Sequence, residues 1–330
     1  MRNKVVDFIK ASLDAGTVAR LRTDPRIEFT ARHSEDTGEV KEYPKTAHLR
    51  NLKVVIRSPD YCELSGSLHR FAKGENYSDF GFDEVAAAVR ELEGFGIDIH
   101  QTKIRNLEAG ANLKALPVTP KGFVREVISH KGQQFNQMRA ENRKPIGIEA
   151  YHQQYAVKIY DKSVDCKLPY PLMRYEVKFT RMQALSKTGI QTLADLTDQN
   201  AMIQLGGMVA SKFDELLVSE PRIQPDKLKP AERKRLANYE NPRHWQQRKD
   251  ESARKHDHDR RQYRKLIAKH VSNPLQKQVS EILKVKLKEL LSNPKSSTKL
   301  TGLYKGKKIN QINQLLKTQS SAKLTASIMG

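Results

Sequence analysis

The sequence contains little cysteine, and what it lacks argues against several kinds of protein. Cys62 and Cys166 are the only two cysteines among 330 residues, and they form no CxxC pair. A zinc ribbon, a zinc finger and a disulfide framework are therefore not expected. The sequence also lacks GxxxxGKS, GxxxxGKT and GxGxxG. Neither a P-loop motor nor a dinucleotide-binding loop is predicted.

Long apolar runs are missing as well. No segment reaches the ~18 consecutive apolar residues that a membrane-spanning helix needs. The first residues, MRNKVVDFIKASLDAG, lack the apolar stretch of a signal peptide. Hydrophobic residues make up 38% and charged residues 29% of the chain, which fits a globular protein with polar extensions. These features predict a cytoplasmic protein without a membrane partner.

Acidic residues are scarce in the last third of the chain. Residues 1–220 contain 32 Lys+Arg and 29 Asp+Glu, a net charge of +3, whereas residues 221–330 contain 27 and 9, a net charge of +18. Lysine and arginine release counterions when they meet a phosphate backbone. The basic part therefore predicts a nucleic-acid partner. The alternatives are a membrane surface and a tail that only improves solubility.

Hydrophobic patterns predict an α+β fold. Strands are predicted over residues 52–58, 97–113 and 169–179, a hairpin over residues 142–163 and a helix over residues 83–95, capped by Asp83. Residues 180–220 read as a helical layer. We predict an antiparallel sheet flanked by helices in residues 51–220. A basic, mainly helical region follows in 221–330, with a flexible tail after Pro294, while residues 1–50 have no assigned role.

Three of the predicted strands carry polar side chains on one face, because side chains alternate along a strand. The residues are Glu108; Lys158, Tyr160 and Lys162; Arg174, Glu176 and Lys178. If the strands are neighbours, carboxylates, a tyrosine and several cations converge. The alternative is a solvated face of cross-strand ion pairs with a packed tyrosine.

Such a set suits the transfer of a phosphodiester. A free tyrosine, with a pKa of ~10, is a weak nucleophile that a nearby lysine or metal ion would activate. Glu108 and Glu176 would hold Mg²⁺ or Mn²⁺, and Arg174 would clamp a phosphate oxygen. Four further tyrosines lie close enough in the sequence to compete with Tyr160. They are Tyr151, Tyr155, Tyr170 and Tyr175, of which Tyr151 and Tyr155 are expected to be packing side chains.

The order of four segments resembles the gene II/X replication initiators of filamentous phages and related elements. The segments are SGSLHRFAKGEN, IRNLEAGANL, VKIYDK and PLMRYEVKFTRMQALSKTGIQTLADL, within roughly residues 50–220. The resemblance implies a fold like that of HUH and Rep proteins. It also implies a rolling-circle endonuclease of a phage or plasmid in a bacterial host. Such an enzyme nicks one strand of a duplex origin by tyrosine attack, leaves a 3′-OH for a polymerase and later rejoins the displaced single strand.

The resemblance also implies roles for particular residues. It places the nucleophile on Tyr160, with Lys162 and Lys158 as cationic helpers, and the Arg-aromatic-Glu motif on residues 174–176. The acidic position of the family falls near Glu108. The His-apolar-His triplet of HUH nucleases is absent, since the corresponding region offers only His69 and His100. We therefore expect Glu108 and Glu176 to replace it as metal ligands.

The basic third is expected to grip DNA through phosphates. Its predicted contacts are Arg233, Lys234, Arg235, Arg260, Arg261, Arg264 and Lys265. Arg174 and Lys178, in the predicted sheet, are also expected to contact DNA. Trp245 and Tyr263 would stack on unpaired bases. For Trp245 the alternative, an anchor onto the main domain, is favoured. A separate helicase, a polymerase and a single-strand-binding protein are expected partners. The rival functions are a non-enzymatic, sequence-specific DNA-binding regulator and a mobilisation relaxase.

Overall fold

An antiparallel sheet of ten strands is the frame of the protein, in the order β2-β3-β4-β5-β1-β6-β11-β10-β9-β8. The computed structural model describes residues 5–33, 40–140 and 144–292. The strands are β1 (Val6–Leu13), β2 (Thr30–His33), β3 (Val40–Leu49), β4 (Leu52–Ser58), β5 (Tyr61–Ser67), β6 (Lys103–Leu113), β7 (Val127–His130), β8 (Asn136–Arg139), β9 (Pro145–Tyr151), β10 (Tyr155–Asp161), β11 (Met173–Phe179) and β12 (Leu216–Val218). Strands β7 and β12 pair separately as a small second sheet.

Helices lie between and after the strands. The α-helices are α1 (Ala15–Thr23), α2 (Leu68–Lys73), α3 (Phe82–Glu93), α4 (Pro120–Glu126), α5 (Lys162–Asp165), α6 (Gln199–Asp214), α7 (Pro230–Tyr239), α8 (Pro242–Glu251), α9 (Ala253–His270) and α10 (Leu275–Leu291). Short 3-10 helices cover Met182–Thr188, Ala194–Thr197 and Pro225–Lys227. The predicted α+β architecture is confirmed.

Local sequence explains where several elements begin and end. Strand β4 covers the predicted residues, and the predicted helix at 83–95 is α3, with Gly81 rather than Asp83 at its N-cap. The predicted strand at 169–179 begins only at Met173, since Pro169 and Pro171 cannot donate a ladder hydrogen bond.

The N-terminal segment, to which the sequence assigned no role, supplies the middle of the sheet. Strand β1 lies between β5 and β6. Val6 is paired with Ala109 but Ile9 with Leu107, so β1 has one extra residue at this point. Such a bulge re-aims side chains. Strict alternation along β1 would place Asp7 on the apolar face, together with Ile9. The bulge accounts for the position of this buried carboxylate on the polar face.

The two faces of the sheet differ in composition. On one face, β-branched and aromatic side chains such as Val157, Tyr175 and Val177 pack under the helices in one apolar cluster. This cluster also includes Leu205 of α6 and Leu283 of α10. The other face carries the charged residues of β6, β10 and β11. Burial of the apolar face, at roughly 25 cal/mol per Å², fixes which side chains are left on the polar one.

Helices α7, α8 and α9 form a second apolar cluster with the small sheet. Trp245 is fully buried in it, and its Nε1–H donates to the carbonyl of Tyr239 at 2.6 Å. Tyr263 is also buried, and its hydroxyl donates to the carbonyl of Val218 at 2.9 Å. The prediction that Trp245 is an anchor is confirmed. Neither ring is exposed for stacking on a base.

The last described helix, α10, returns to the main sheet. Leu283, Leu287 and Leu291 join the large apolar cluster beside α6 rather than the cluster around Trp245. No helix within 5–33, 40–140 and 144–292 is both long and apolar enough to span a membrane. The flexible tail predicted after Pro294 lies outside the described residues.

Candidate active site

Neighbouring strands bring the predicted polar residues together on the open face of the sheet. Lys158 of β10 pairs with Glu176 of β11 on one side and with Glu149 of β9 on the other. In the next rung Lys178 of β11 pairs with Glu108 of β6. Directly paired residues point to the same face and lie close together. Strand alternation therefore gathers these five side chains in one cluster, and Glu149 is the one that the sequence had not singled out.

The ammonium group of Lys158 lies between two carboxylates. Its Nζ is 3.2 Å from Oε1 of Glu108 and 3.3 Å from Oε1 of Glu176. Burial and the nearby Glu176 raise the pKa of Glu108. Burial would also raise the pKa of Glu176, but Arg174 and Lys158 lower it to about 2. Glu176 is thus the firmly ionised carboxylate, and Glu108 is the one closer to taking up a proton.

Arg174 does not occupy the position predicted for a phosphate clamp. Its side chain is completely buried and contacts Glu176. The guanidinium also donates to Oδ1 of Asn112 at 3.1 Å and lies 3.3 Å from Oδ2 of Asp7. A buried guanidinium with these partners cannot reach a DNA backbone. Arg174 instead holds two carboxylates of the cluster in place.

Tyr160 is a packed side chain, with only 7% of it exposed, and it lines a cleft on this face. It lies against Gly147, where an added Cβ would be 2.2 Å from the Tyr160 Cβ. Burial, together with Glu176, raises the pKa of Tyr160 well above its ordinary value. Its predicted helper Lys162 is buried, binds Oδ2 of Asp165 at 2.6 Å and lies 5.7 Å from the Tyr160 ring centre. Lys162 therefore faces the ring, and the phenol is held in its neutral form.

Two adjoining clefts run along this face. The first has a volume of about 460 Å³ and the second about 750 Å³. The first cleft is lined by the cluster, including Asp7, Glu108, Lys158, Tyr160, Lys162 and Glu176. Both are lined by Asn51, Arg70, Asn76 and Asp165. Arg70 is exposed at their junction, which places a guanidinium where a chain of phosphates could pass.

The predicted metal ligands are already engaged with a cation. Lys158 lies between Glu108 and Glu176, and a divalent ion binding both carboxylates there would have to displace its ammonium. No group of three His, Cys, Asp or Glu in the described ranges is arranged to hold a metal. His69 is buried, with its Nε2 3.2 Å from Oγ of Ser78, and His100 is exposed. As placed, these residues do not fit a Mg²⁺ or Mn²⁺ site.

Two members of the site could not be identified by sequence reasoning. Asp7 requires the bulge in β1, because strict alternation would place it on the same face as Ile9. Asn112 lies in a predicted strand, opposite Arg174, but no motif singles it out. Gly147 lies opposite Tyr160 and leaves room for that ring.

The predicted cations of the basic region differ in exposure and pairing. Arg233, Lys234 and Arg235 are exposed on α7, as are Arg261 and Lys265 on α9. Arg260 is half-buried and pairs with Asp257, whereas Arg264 is exposed and donates to the carbonyl of Asp214, as Arg233 does to the carbonyl of Pro225. On the sheet, Lys178 is half-buried and 3.3 Å from Glu108. The exposed cations of α7 and α9 are therefore the ones available to a polyanion.

Comparison with known proteins gives one match among solved structures. A rolling circle replication initiator protein from Geobacillus stearothermophilus is similar over 68% of this chain and 89% of its own, with a TM-score of 0.42 and 14% sequence identity. No family model and no curated protein matches the chain.

Proposed function

We propose that this protein initiates rolling-circle replication by nicking and rejoining DNA. The observation that carries the proposal is the meeting of the segments NLEAG, VKIYDK and MRYEVK in one charged cluster beside two clefts. These are segments on which the sequence resembles phage initiators. A solvated face of surface ion pairs would not be expected to bury Arg174 and Glu176, since buried ions are costly to desolvate.

The cluster suits phosphodiester chemistry through its fixed charges. Burial would lower the pKa of Lys158, but Glu176 and Glu108 raise it above its ordinary value, so Lys158 remains a cation. A fixed cation beside the scissile phosphate would stabilise the negative charge of the transition state. Lys178, half-buried at the rim, would add a second positive charge. Mg²⁺ or Mn²⁺ would bind Glu108 and Glu176 only after Lys158 moves, so no step is assigned to a metal.

DNA would be held by separate parts of the protein. Arg70 at the junction of the clefts would contact the nicked strand, and the exposed cations of α7 and α9 would contact duplex phosphates. The free 3′-OH would serve a polymerase of the bacterial host. Unwinding and protection of the displaced strand would require a separate helicase and a single-strand-binding protein.

The test uses a supercoiled plasmid that carries the gene of this protein and its flanking DNA, incubated with the full chain. Parallel reactions contain Mg²⁺, Mn²⁺ or EDTA. We expect nicked circles with protein covalently attached to a 5′ end. Binding without nicking under all three conditions would instead support a sequence-specific regulator. A mobilisation relaxase would give the same nick, at a transfer origin rather than at a replication origin.

A further inference from the structure

Helices α7 and α8 meet at a short turn. Helix α7 ends at Tyr239 and α8 begins at Pro242, so two residues connect them. The second of these, Asn241, caps α8, because its Oδ1 accepts a hydrogen bond from the N–H of Arg243 at 3.0 Å. The cap and the proline at the first helical position fix where α8 begins. Two helices joined by a short turn are the arrangement with which many proteins place the second helix in the major groove of DNA.

One side of α8 is fixed to its neighbours. Trp245 is fully buried there, in contact with the aromatic rings of Tyr239 and Tyr263. Nε of Arg248 donates a hydrogen bond to Oδ2 of Asp259 on α9 at 2.7 Å. These contacts hold α8 in one orientation, so its outer side is presented in a fixed direction. Side chains on such a helix are positioned more precisely than side chains on a loop.

The outer side of α8 carries side chains that can read bases. Arg243, Gln246 and Gln247 are exposed, and their spacing of three and four residues places them on one face, away from Trp245. In the major groove, arginine pairs with O6 and N7 of guanine, and glutamine pairs with N6 and N7 of adenine. The outer face of α8 therefore presents the residue types of direct base readout.

The two glutamines are oriented by exposed hydrogen bonds. Nε2 of Gln134 donates to Oε1 of Gln246 at 2.8 Å, and Nε2 of Gln247 donates to Oε1 of Glu251 at 3.2 Å. Each bond uses one end of an amide that can both donate and accept. Because these bonds are in contact with water, exchanging them for bonds to a base costs little.

On the outer face, the exposed charge changes sign along α8. Arg243 lies in the first turn, whereas Asp250 and Glu251 are exposed in the last turn. Lys249, also in the last turn, is half-buried against Gly132. The phosphates of DNA attract the first end and repel the second, and the partial positive charge of a helix N-terminus adds to this preference. A duplex therefore fits against the N-terminal half of α8, the half from which recognition helices contact base edges.

The neighbouring helices make this surface complementary in charge to a duplex. Exposed cations include Arg233, Lys234 and Arg235 of α7, and Arg254 and Lys255 at the start of α9. These residues can meet phosphates at any sequence, since the DNA backbone is the same everywhere. Helix α8 differs from them because uncharged amides lie on its outer face, and amides recognise base edges rather than charge.

We propose that α8 reads the base sequence of the duplex origin in the major groove, with Arg243 bound to a guanine and Gln246 and Gln247 bound to bases nearby. The inference deepens the proposed function and rests on it for the identity of the DNA. The cations of α7 and α9 supply affinity for any duplex, and α8 supplies the preference for one sequence. Recognition of the origin is thus carried by helices separate in sequence from the charged cluster of the sheet.

The experiment measures sequence preference with the full chain. Fluorescence anisotropy compares a duplex that the wild type selects from fragments of the plasmid with a shuffled duplex of the same composition. Arg243→Ala should lower the ratio of the two affinities by roughly 5- to 100-fold and abolish protection of one guanine N7 from dimethyl sulfate. Lys234→Ala, the matched control on α7, should weaken both duplexes equally. A ratio unchanged in Arg243→Ala, or lowered as much in Lys234→Ala, overturns the proposal.

Gln246→Glu tests the readout by a change of preference rather than a loss. A carboxylate still accepts the hydrogen bond of Gln134, but against a base it accepts from N4 of cytosine instead of pairing with adenine. We expect the preferred base at one position of the selected duplex to change to cytosine. An unchanged preference removes Gln246 from the readout.

Plasmid nicking by the wild type is measured in parallel. Nicking without any preference between the two duplexes overturns the role of α8 and leaves the proposed function standing. A sequence preference that Arg243→Ala abolishes, without nicking by the wild type, upholds the role of α8 and overturns the nicking function. A wild type that binds neither duplex and does not nick overturns both.

Discussion

The polar face of the sheet and helices α7 to α9 are both rich in cations, but the two regions use them differently. On the sheet, Arg174 and Lys158 are buried or nearly so and bound to carboxylates. On α7 and α9, cations such as Lys234 and Arg261 are exposed. Paired cations fix a geometry at a cost in desolvation, whereas exposed ones remain able to bind a polyanion. Net charge alone does not separate these roles.

The largest effect is expected from breaking the pairing on the sheet. Arg174→Met leaves Glu176 and Asp7 as buried carboxylates without their guanidinium, which should lower the free energy of unfolding by about 3–5 kcal/mol. Urea denaturation followed by circular dichroism measures this change. Arg261→Met on α9 is the control, with a change expected within about 0.5 kcal/mol. Equal effects of the two variants would erase the contrast between the regions.

DNA binding should depend on the other region. Replacing Arg233, Lys234 and Arg235 by alanine removes three exposed charges of α7. The slope of log affinity against log salt should become shallower by about 2–3, since each phosphate contact contributes roughly 0.9. Fluorescence anisotropy with duplex DNA at several salt concentrations measures it. A matched triple variant of Arg22, Arg90 and Lys187, exposed residues outside α7 to α9, should leave the slope unchanged.

The hydrogen-bonded pair of His130 and His152 makes the stability of the protein depend on pH. Nδ1 of His130 lies 2.7 Å from Nε2 of His152, and burial lowers the pKa of each to about 3. The unfolded chain binds protons near pH 6.5 and the folded chain does not, so stability is full above that pH and is lost as pH falls towards 3. His130 alone should account for about 2 kcal/mol between pH 7 and pH 5.

The variant that isolates this contribution is His130→Gln. It should flatten the dependence of unfolding free energy on pH in that interval, whatever its effect at pH 7. Urea titrations at pH 5, 6 and 7 provide the measurement. An unaltered pH dependence would mean that His130 is protonated in the folded protein.

The smallest effect is expected at the clefts. Arg70 is one exposed guanidinium at their junction, so Arg70→Ala should weaken binding of single-stranded DNA by roughly three- to tenfold, about 1 kcal/mol. Duplex binding should change less. A larger loss of affinity for duplex than for single-stranded DNA would contradict the proposed contact of Arg70 with a single strand.

The sequence predicted the face on which a side chain lies more accurately than it predicted how exposed that side chain is. Alternation correctly placed Arg174 and Glu176 on one face and Tyr175 on the other, because that pattern is local to a strand. It could not show that Arg174 would be buried, since this depends on Asp7 from a strand more than 160 residues away. The burial of Tyr160 likewise depends on its packing against Gly147.

Strand alternation also fails at irregularities. Asp7 reaches the cluster only through the bulge in β1, which a single sequence does not mark. The role of Trp245 was predicted correctly because a lone large ring in a charged region gains most by being buried.

The path of the chain around α7 to α9 has a practical consequence. The backbone N–H of Leu275 donates to Glu220 at 2.6 Å, and Arg222 donates to the carbonyl of Asn273 at 2.7 Å. The chain therefore enters and leaves the segment of α7 to α9 at one place. Truncation after residue 220 would also remove α10 from the main core. Excision of residues 222–273 with a short glycine-serine bridge would instead remove α7 to α9 and keep α10 on the main core.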